Sequence, residues 1–158
     1  TGGIDIVAKT KEFSVETGQV QILNLEKGEV LEISNPYKND VINYIQIGIK
    51  NEDYFFSKNT SFSFDFEKNP NQLIEIINDE KLPFKLSTGI FSGRQETVYK
   101  MENPANSFYT FIIDGAFEVD GRLMHARDGL ALWNAENIEL EAINNNAIVV
   151  VLELLPIF

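Results

Sequence analysis

Residues 108–133, FYTFIIDGAFEVDGRLMHARDGLALW, constrain the fold more than any other stretch. Apolar runs alternate there in β fashion and are punctuated by Asp114-Gly115, Asp120-Gly121 and Asp128-Gly129. Asp-Gly between two alternating runs is the strongest short-range hairpin signal a sequence carries, because both residues accept positive φ. Hairpins are therefore predicted at Asp114-Gly115 and Asp120-Gly121. A chain that turns back at such short intervals forms a β-barrel or sandwich, so the fold class is all-β.

The rest of the chain agrees. Strands are predicted over residues 4–8, 19–25, 28–34, 41–50, 73–77, 84–91, 96–101, 138–143 and 147–154, separated by Gly, Asn and Asp turns. Asn35-Pro36 ends one of them, since the residue before proline is pushed out of the helical region. VINYIQIGIK, residues 41–50, is predicted as a long alternating strand, with Ile42, Tyr44, Gln46 and Gly48 on one face and Val41, Ile45, Ile47 and Ile49 on the other. SFSFDF puts Phe62, Phe64 and Phe66 on one face; a half-buried strand explains this better than an aromatic stacking platform. No long stretch has a 3.6-residue period, so helix is expected to be sparse. Residues 67–71, EKNPN, are the best linker, and divide the chain into residues 1–66 and 67–158.

Composition narrows the chemistry. The net charge is -11, and the Lys and Arg are scattered rather than clustered, which argues against a nucleic-acid partner and against an anionic membrane surface. The apolar C-terminal stretch is interrupted by Glu153 and Pro156 and is too short to span a bilayer; it reads as a buried final strand. With no cysteine there is no disulfide, thiolate metal site or cysteine nucleophile, which fits a cytoplasmic protein. The single histidine, His125, sits between strands beside Arg127, where it is poorly placed as a base; it reads as a surface or loop residue, with no Ser/His/Asp triad around it. One histidine cannot build the two- or three-imidazole site that a transition metal takes on a β-barrel. The acidic groups Asp79-Glu80 and Glu136/Glu139/Glu141 are candidates for Ca or Mg, but lack the loop spacing and read as solvated faces. Phosphate-binding glycine loops are absent, and no carboxylate pair stands out for glycoside chemistry.

These residues carry a family resemblance. DGAFEVDGRLMHARDGLALWN resembles the hairpin region of cupin barrels, most closely the C-terminal cupin of pirin-like proteins of the bacterial quercetinase type. GQVQILNLEKGEVLEISNPY followed by VINYIQIGIK is similar to the stretch that closes the N-terminal cupin, and LIEIINDE with FKLSTGIFSGRQETVY to the start of the second. The resemblance implies a bicupin of double-stranded β-helix (jelly-roll) barrels: one complete C-terminal cupin, over residues 67–158, and part of an N-terminal one, over residues 1–66. It implies that the opening strands of the first cupin, with the family's His-x-His pair, are missing. The family's third ligand histidine and the carboxylate two residues on, counted back from Asn35-Pro36, fall on Leu31 and Ile33. Both are apolar.

The expectation is therefore a cupin with no metal, no cofactor and no catalytic residue, binding a small apolar ligand or acting as a scaffold. The alternative is a quercetin 2,3-dioxygenase holding Fe or another divalent transition metal on ligands in a missing N-terminal segment. Metal-free sugar or nucleotide-sugar chemistry is a third option; it would need a His or Tyr base in a barrel, and His125 lies in the wrong kind of segment. A barrel lacking strands exposes sheet edges, so a homodimer is expected.

Overall fold

The computed structural model describes residues 2–8, 11–50 and 60–155. The chain separates into two units, Thr1–Phe64 and Asp65–Phe158. Among the described residues there is no α-helix.

In the first unit, β1 (Ile4–Ala8), β2 (Lys11–Val15) and β4 (Leu31–Ser34) form an antiparallel sheet in the order β2-β1-β4, and β3 (Gln19–Ile22) pairs with β5 (Thr60–Ser63). Period-two alternation sets the faces. Ile6 and Ala8 are buried, and their register partners across β1–β4 are Ile33 and Leu31, so all four share one face. Gly18 has φ 78°, and a Cβ there would stand 2.8 Å from the Phe64 carbonyl oxygen, so the tight entry to β3 requires glycine.

The predicted strand over residues 41–50 does not form, and residues 35–50 contain no strand. Asn35 instead organises a loop: its Oδ1 accepts the Tyr37 N–H at 2.9 Å and its Nδ2 donates to the Asp40 carbonyl at 2.8 Å. Alternation describes only side chains. A strand also needs a neighbour for its backbone N–H and C=O groups, and none of the described strands pairs with this stretch.

The second unit has two antiparallel sheets. One, in the order β12-β9-β14-β7-β6, is built from β12 (Gly129–Trp133), β9 (Ser107–Asp114), β14 (Ala147–Leu154), β7 (Phe84–Phe91) and β6 (Ile74–Ile77). The other, in the order β11-β10-β13-β8, is built from β11 (Arg122–His125), β10 (Ala116–Val119), β13 (Asn137–Ala142) and β8 (Glu96–Lys100). This is a cupin jelly roll. Inward residues of both sheets make one core: Phe108, Ile112, Val149 and Val151 from the first, Phe117, Val119, Ile138 and Leu140 from the second, all essentially inaccessible. Phe91 and Phe117 meet edge to face, 5.7 Å between centroids, across the two sheets.

The Asp-Gly turns divide. Asp120 (φ 48°) and Gly121 (φ 73°) close a two-residue hairpin in which Val119 faces Arg122, as the sequence predicts. Asp114-Gly115 does not make a hairpin. β9 pairs with β12 and β14 in one sheet, whereas β10 pairs with β11 and β13 in the other. Gly115 (φ 75°) turns the chain from sheet to sheet, and Ala116 N–H is caught by Asn144 Oδ1 at 2.7 Å. The dipeptide's preference reports only the left-handed backbone, and a sheet-to-sheet corner uses it as readily as a hairpin does.

Candidate functional site

The positions where the resemblance puts metal ligands lie on β4. Leu31 faces Ala8 and Ile33 faces Ile6 in register, both half-buried on the apolar side of the three-stranded sheet. Beside them the first unit holds a cleft of about 320 Å³ whose wall includes Ile4, Ile33, Ile42 and Tyr44, with Asn35 and Asp40 at its polar margin. Isoleucine offers an ion no lone pair, so the described residues here do not fit a transition metal. Among the described residues no three His, Cys, Asp or Glu side chains come together to hold one.

His125 is exposed at the end of β11. Its backbone N–H donates to Asp128 Oδ2 at 2.8 Å, and Asp128 N–H returns to the His125 carbonyl at 3.0 Å, so the segment is used to make a turn. The acidic groups are dispersed. Asp79 caps its own turn, its Oδ1 accepting the Lys81 N–H. Glu139 and Glu141 alternate with buried Ile138, Leu140 and Ala142 along β13, and Glu141 pairs with Arg94 at 2.9 Å. Glu136 contributes its carbonyl oxygen to Met101 N–H.

The second unit contains a polar constellation that the sequence reading passed over. Glu153 is 1% exposed. It follows Val149 and Val151 on the inward face of β14, in register with Lys85 of β7 and Phe108 of β9. A carboxylate buried this deeply is stable only if its lone pairs are filled. Tyr99 Oη donates to Oε2 at 2.9 Å, Glu102 N–H to Oε1 at 3.0 Å and Asn106 Nδ2 to Oε1 at 2.5 Å; Asn103 N–H approaches Oε1 at 3.4 Å. Glu153 thereby fastens the connection between β8 and β9 to the end of β14. Burial, and then the charge of Glu153, push the Tyr99 phenol far above its ordinary range. Tyr99 is thus held as a neutral donor and is unavailable as a base near neutral pH.

A cleft of about 210 Å³ lies over this cluster, with Glu75, Lys85, Ser87 and Tyr99 in its wall. Lys85 is engaged by Glu102 at 2.8 Å. With the phenol protonated, the lysine paired and the carboxylate filled by donors, the arrangement serves as a structural clamp. Its signal in the sequence was a lone charge at an inward position of the apolar run AIVVVLEL.

Residues 82–154 match the family described as the quercetinase C-terminal cupin domain. No curated protein matches the chain by sequence. Among solved structures, YhhW from Escherichia coli superposes with a TM-score of 0.77 at 14% identity, over 99% of this chain and 69% of that one. The bacterial pirin YhhW from E. coli in complex with nickel(II) gives 0.68 at 14% identity, with the same coverage. YhaK from E. coli gives 0.73 at 12% identity, over 98% of this chain and 72% of that one. At such identities the likeness is one of fold. No helix is long and apolar enough to cross a membrane among the described residues. Residues 82–154 thus match the quercetinase C-terminal cupin domain, and the chain as a whole is similar in fold to the bacterial pirin YhhW.

Proposed function

We propose that this pirin-like cupin works without a metal ion and without dioxygenase activity, as a cytoplasmic protein that binds a small apolar molecule in the cleft of its first unit. The observation that carries the reading is Ile33: it stands where the resemblance calls for a metal-binding carboxylate, and it lines the cleft with Ile4, Ile42 and Tyr44. An apolar wall with a few polar groups at its margin suits a small hydrophobic ligand. The interior of the second unit is occupied by a core of large side chains, Phe91, Phe108, Phe117 and Ile138 among them.

The test is a calorimetric titration of the chain with quercetin, used as an apolar probe, with and without EDTA, alongside oxygen uptake. The expected result is binding indifferent to EDTA, no oxygen consumption, and loss of binding in Ile33→Asp. Because Ile33→Asp can disturb β4, the half-exposed wall residue is changed separately in Tyr44→Ser, which should weaken binding by about tenfold through lost apolar contact. Binding that requires a metal, or oxygen uptake with quercetin, overturns the proposal in favour of a dioxygenase.

A further inference from the structure

Among the described residues the buried polar side chains are Ser87, Thr88, Asn106, Thr110 and Glu153. A buried polar group is normally hydrogen-bonded, because burial strips it of the bonds that water would make. All but Ser87 obey. Thr88 Oγ1 donates to the Val149 carbonyl at 2.8 Å, Thr110 Oγ1 to the Val150 carbonyl at 2.9 Å, and Asn106 donates to Glu153. Ser87 is 5% exposed, and its hydroxyl has no hydrogen-bond partner among the described residues.

The place of that hydroxyl is specific. Ser87 on β7 is in register with inaccessible Val151 of β14 and with Glu75 of β6, so its side chain faces the barrel interior on the same side as Glu75. It lines the cleft of about 210 Å³ above the Glu153 clamp. The rest of the wall is fixed. Tyr99 Oη donates to Glu153 and keeps its lone pairs, and Lys85 is held by Glu102. The Glu75 carboxylate has one oxygen bonded to Asn78 and one without a partner among the described residues. Leu73 and Val98 add apolar surface. Burial first, and then the charges of Glu153, Glu75 and Glu102, raise the pKa of the Tyr99 phenol, so the field of all three carboxylates reaches this wall. They outweigh Lys85 and Lys100, and a cation is the favoured guest.

We infer that this cleft binds a primary alkylammonium ion, whose N–H groups donate to Ser87 Oγ, Tyr99 Oη and Glu75 while its short chain rests on Leu73 and Val98. A cation with several donors supplies what the buried hydroxyl lacks. A lone water would satisfy the hydroxyl but use neither the charge nor the apolar wall. The site lies within the second unit and is distinct from the apolar cleft beside Ile33.

The probe is n-butylammonium, titrated into the nitrogen-15-labelled chain and followed by amide NMR, with n-butanol and butyrate as neutral and anionic counterparts of similar size. The expected result is a saturable shift of the Ser87, Glu75 and Tyr99 amides at roughly millimolar concentration, with butanol and butyrate each about tenfold weaker or more. Ser87→Ala should weaken butylammonium binding by about tenfold. Because it removes an unpaired buried hydroxyl, it should leave the ligand-free melting temperature unchanged or raised. Glu75 is exposed on the edge strand β6, so Glu75→Gln keeps the fold and should weaken binding by about threefold; it carries the test if Ser87→Ala unfolds. Absence of any saturable shift, which leaves water alone in the cleft, overturns the proposal. So does butanol or butyrate binding as tightly as butylammonium, or an affinity that folded Ser87→Ala and Glu75→Gln leave unchanged.

Discussion

The two units use the same code and reach different ends. In the second, alternating strands find partners on both sheets, and Phe117, Ile138 and Val151 become inaccessible. In the first, an equally regular alternation at residues 41–50 leaves Val41, Tyr44, Ile45 and Ile47 exposed; among the described residues of that unit the buried hydrophobics are Ile6 and Ala8. Among the described residues the difference lies in which strands pair, since no described strand lies beside residues 41–50. Burial stabilises by roughly 1.5–3 kcal/mol per large apolar side chain, but only where a second layer exists to receive it.

The largest expected effect sharpens that contrast. Phe117→Ala removes a side chain packed edge to face on Phe91 and should destabilise the second unit by about 3–5 kcal/mol, whereas Ile45→Ala should change folding stability by no more than about 0.5 kcal/mol. Urea titration followed by circular dichroism reads both; equal losses would erase the distinction between the units. Next comes Glu153→Ala, which strands the Tyr99 hydroxyl, the Asn106 amide and the Glu102 N–H, and should cost roughly 3 kcal/mol. Glu153→Gln keeps one acceptor oxygen and should cost less. An unchanged midpoint for Glu153→Ala would show that the clamp is dispensable.

The turns come third. A Cβ on Gly115 would approach Ala147 Cβ at 2.8 Å, while one on Gly121 meets nothing within 4 Å. Both substitutions to Ala pay backbone strain of about 1 kcal/mol, so the excess loss at Gly115, read in the same titration, measures how closely the sheet-to-sheet corner is packed. The smallest effect is a pH dependence. The folded-state pKa of Tyr99 is raised above its unfolded value, so the clamp's contribution is fully present below about pH 10 and fades as pH rises beyond it, because the unfolded chain then releases a proton that the folded one retains. Tyr99→Phe should lose about 1 kcal/mol at neutral pH and show a shallower decline in alkali than the parent chain. Parallel alkaline profiles would mean that Tyr99 is not held protonated by its surroundings.

Much of the architecture was legible. The limits of β7 and β14 follow from apolar runs bounded by turn residues, and the Asp120-Gly121 hairpin from a dipeptide whose backbone preference dictates its geometry. Residues 41–50 and Asp114-Gly115 were misread for one reason. Local chemistry states the conformation a segment prefers and does not state which strand lies beside it. The candidate site was half legible. Leu31 and Ile33 could be named from a resemblance, but their place beside a cleft depends on the register of β4 against β1. Glu153 was visible only as an interruption, because its donors come from the β8–β9 connection and from Tyr99, far away in sequence.

The proposal that the first unit works without a metal ion rests on the apolar wall around Ile33. Elemental analysis of the purified chain, expressed with iron, manganese, nickel and copper in the medium and dialysed without chelator, tests it most directly. The account predicts each transition metal far below one equivalent per chain, and no gain in thermal stability on adding nickel(II) or iron(II). A stoichiometric ion that survives dialysis, and whose removal lowers the melting temperature, would contradict it.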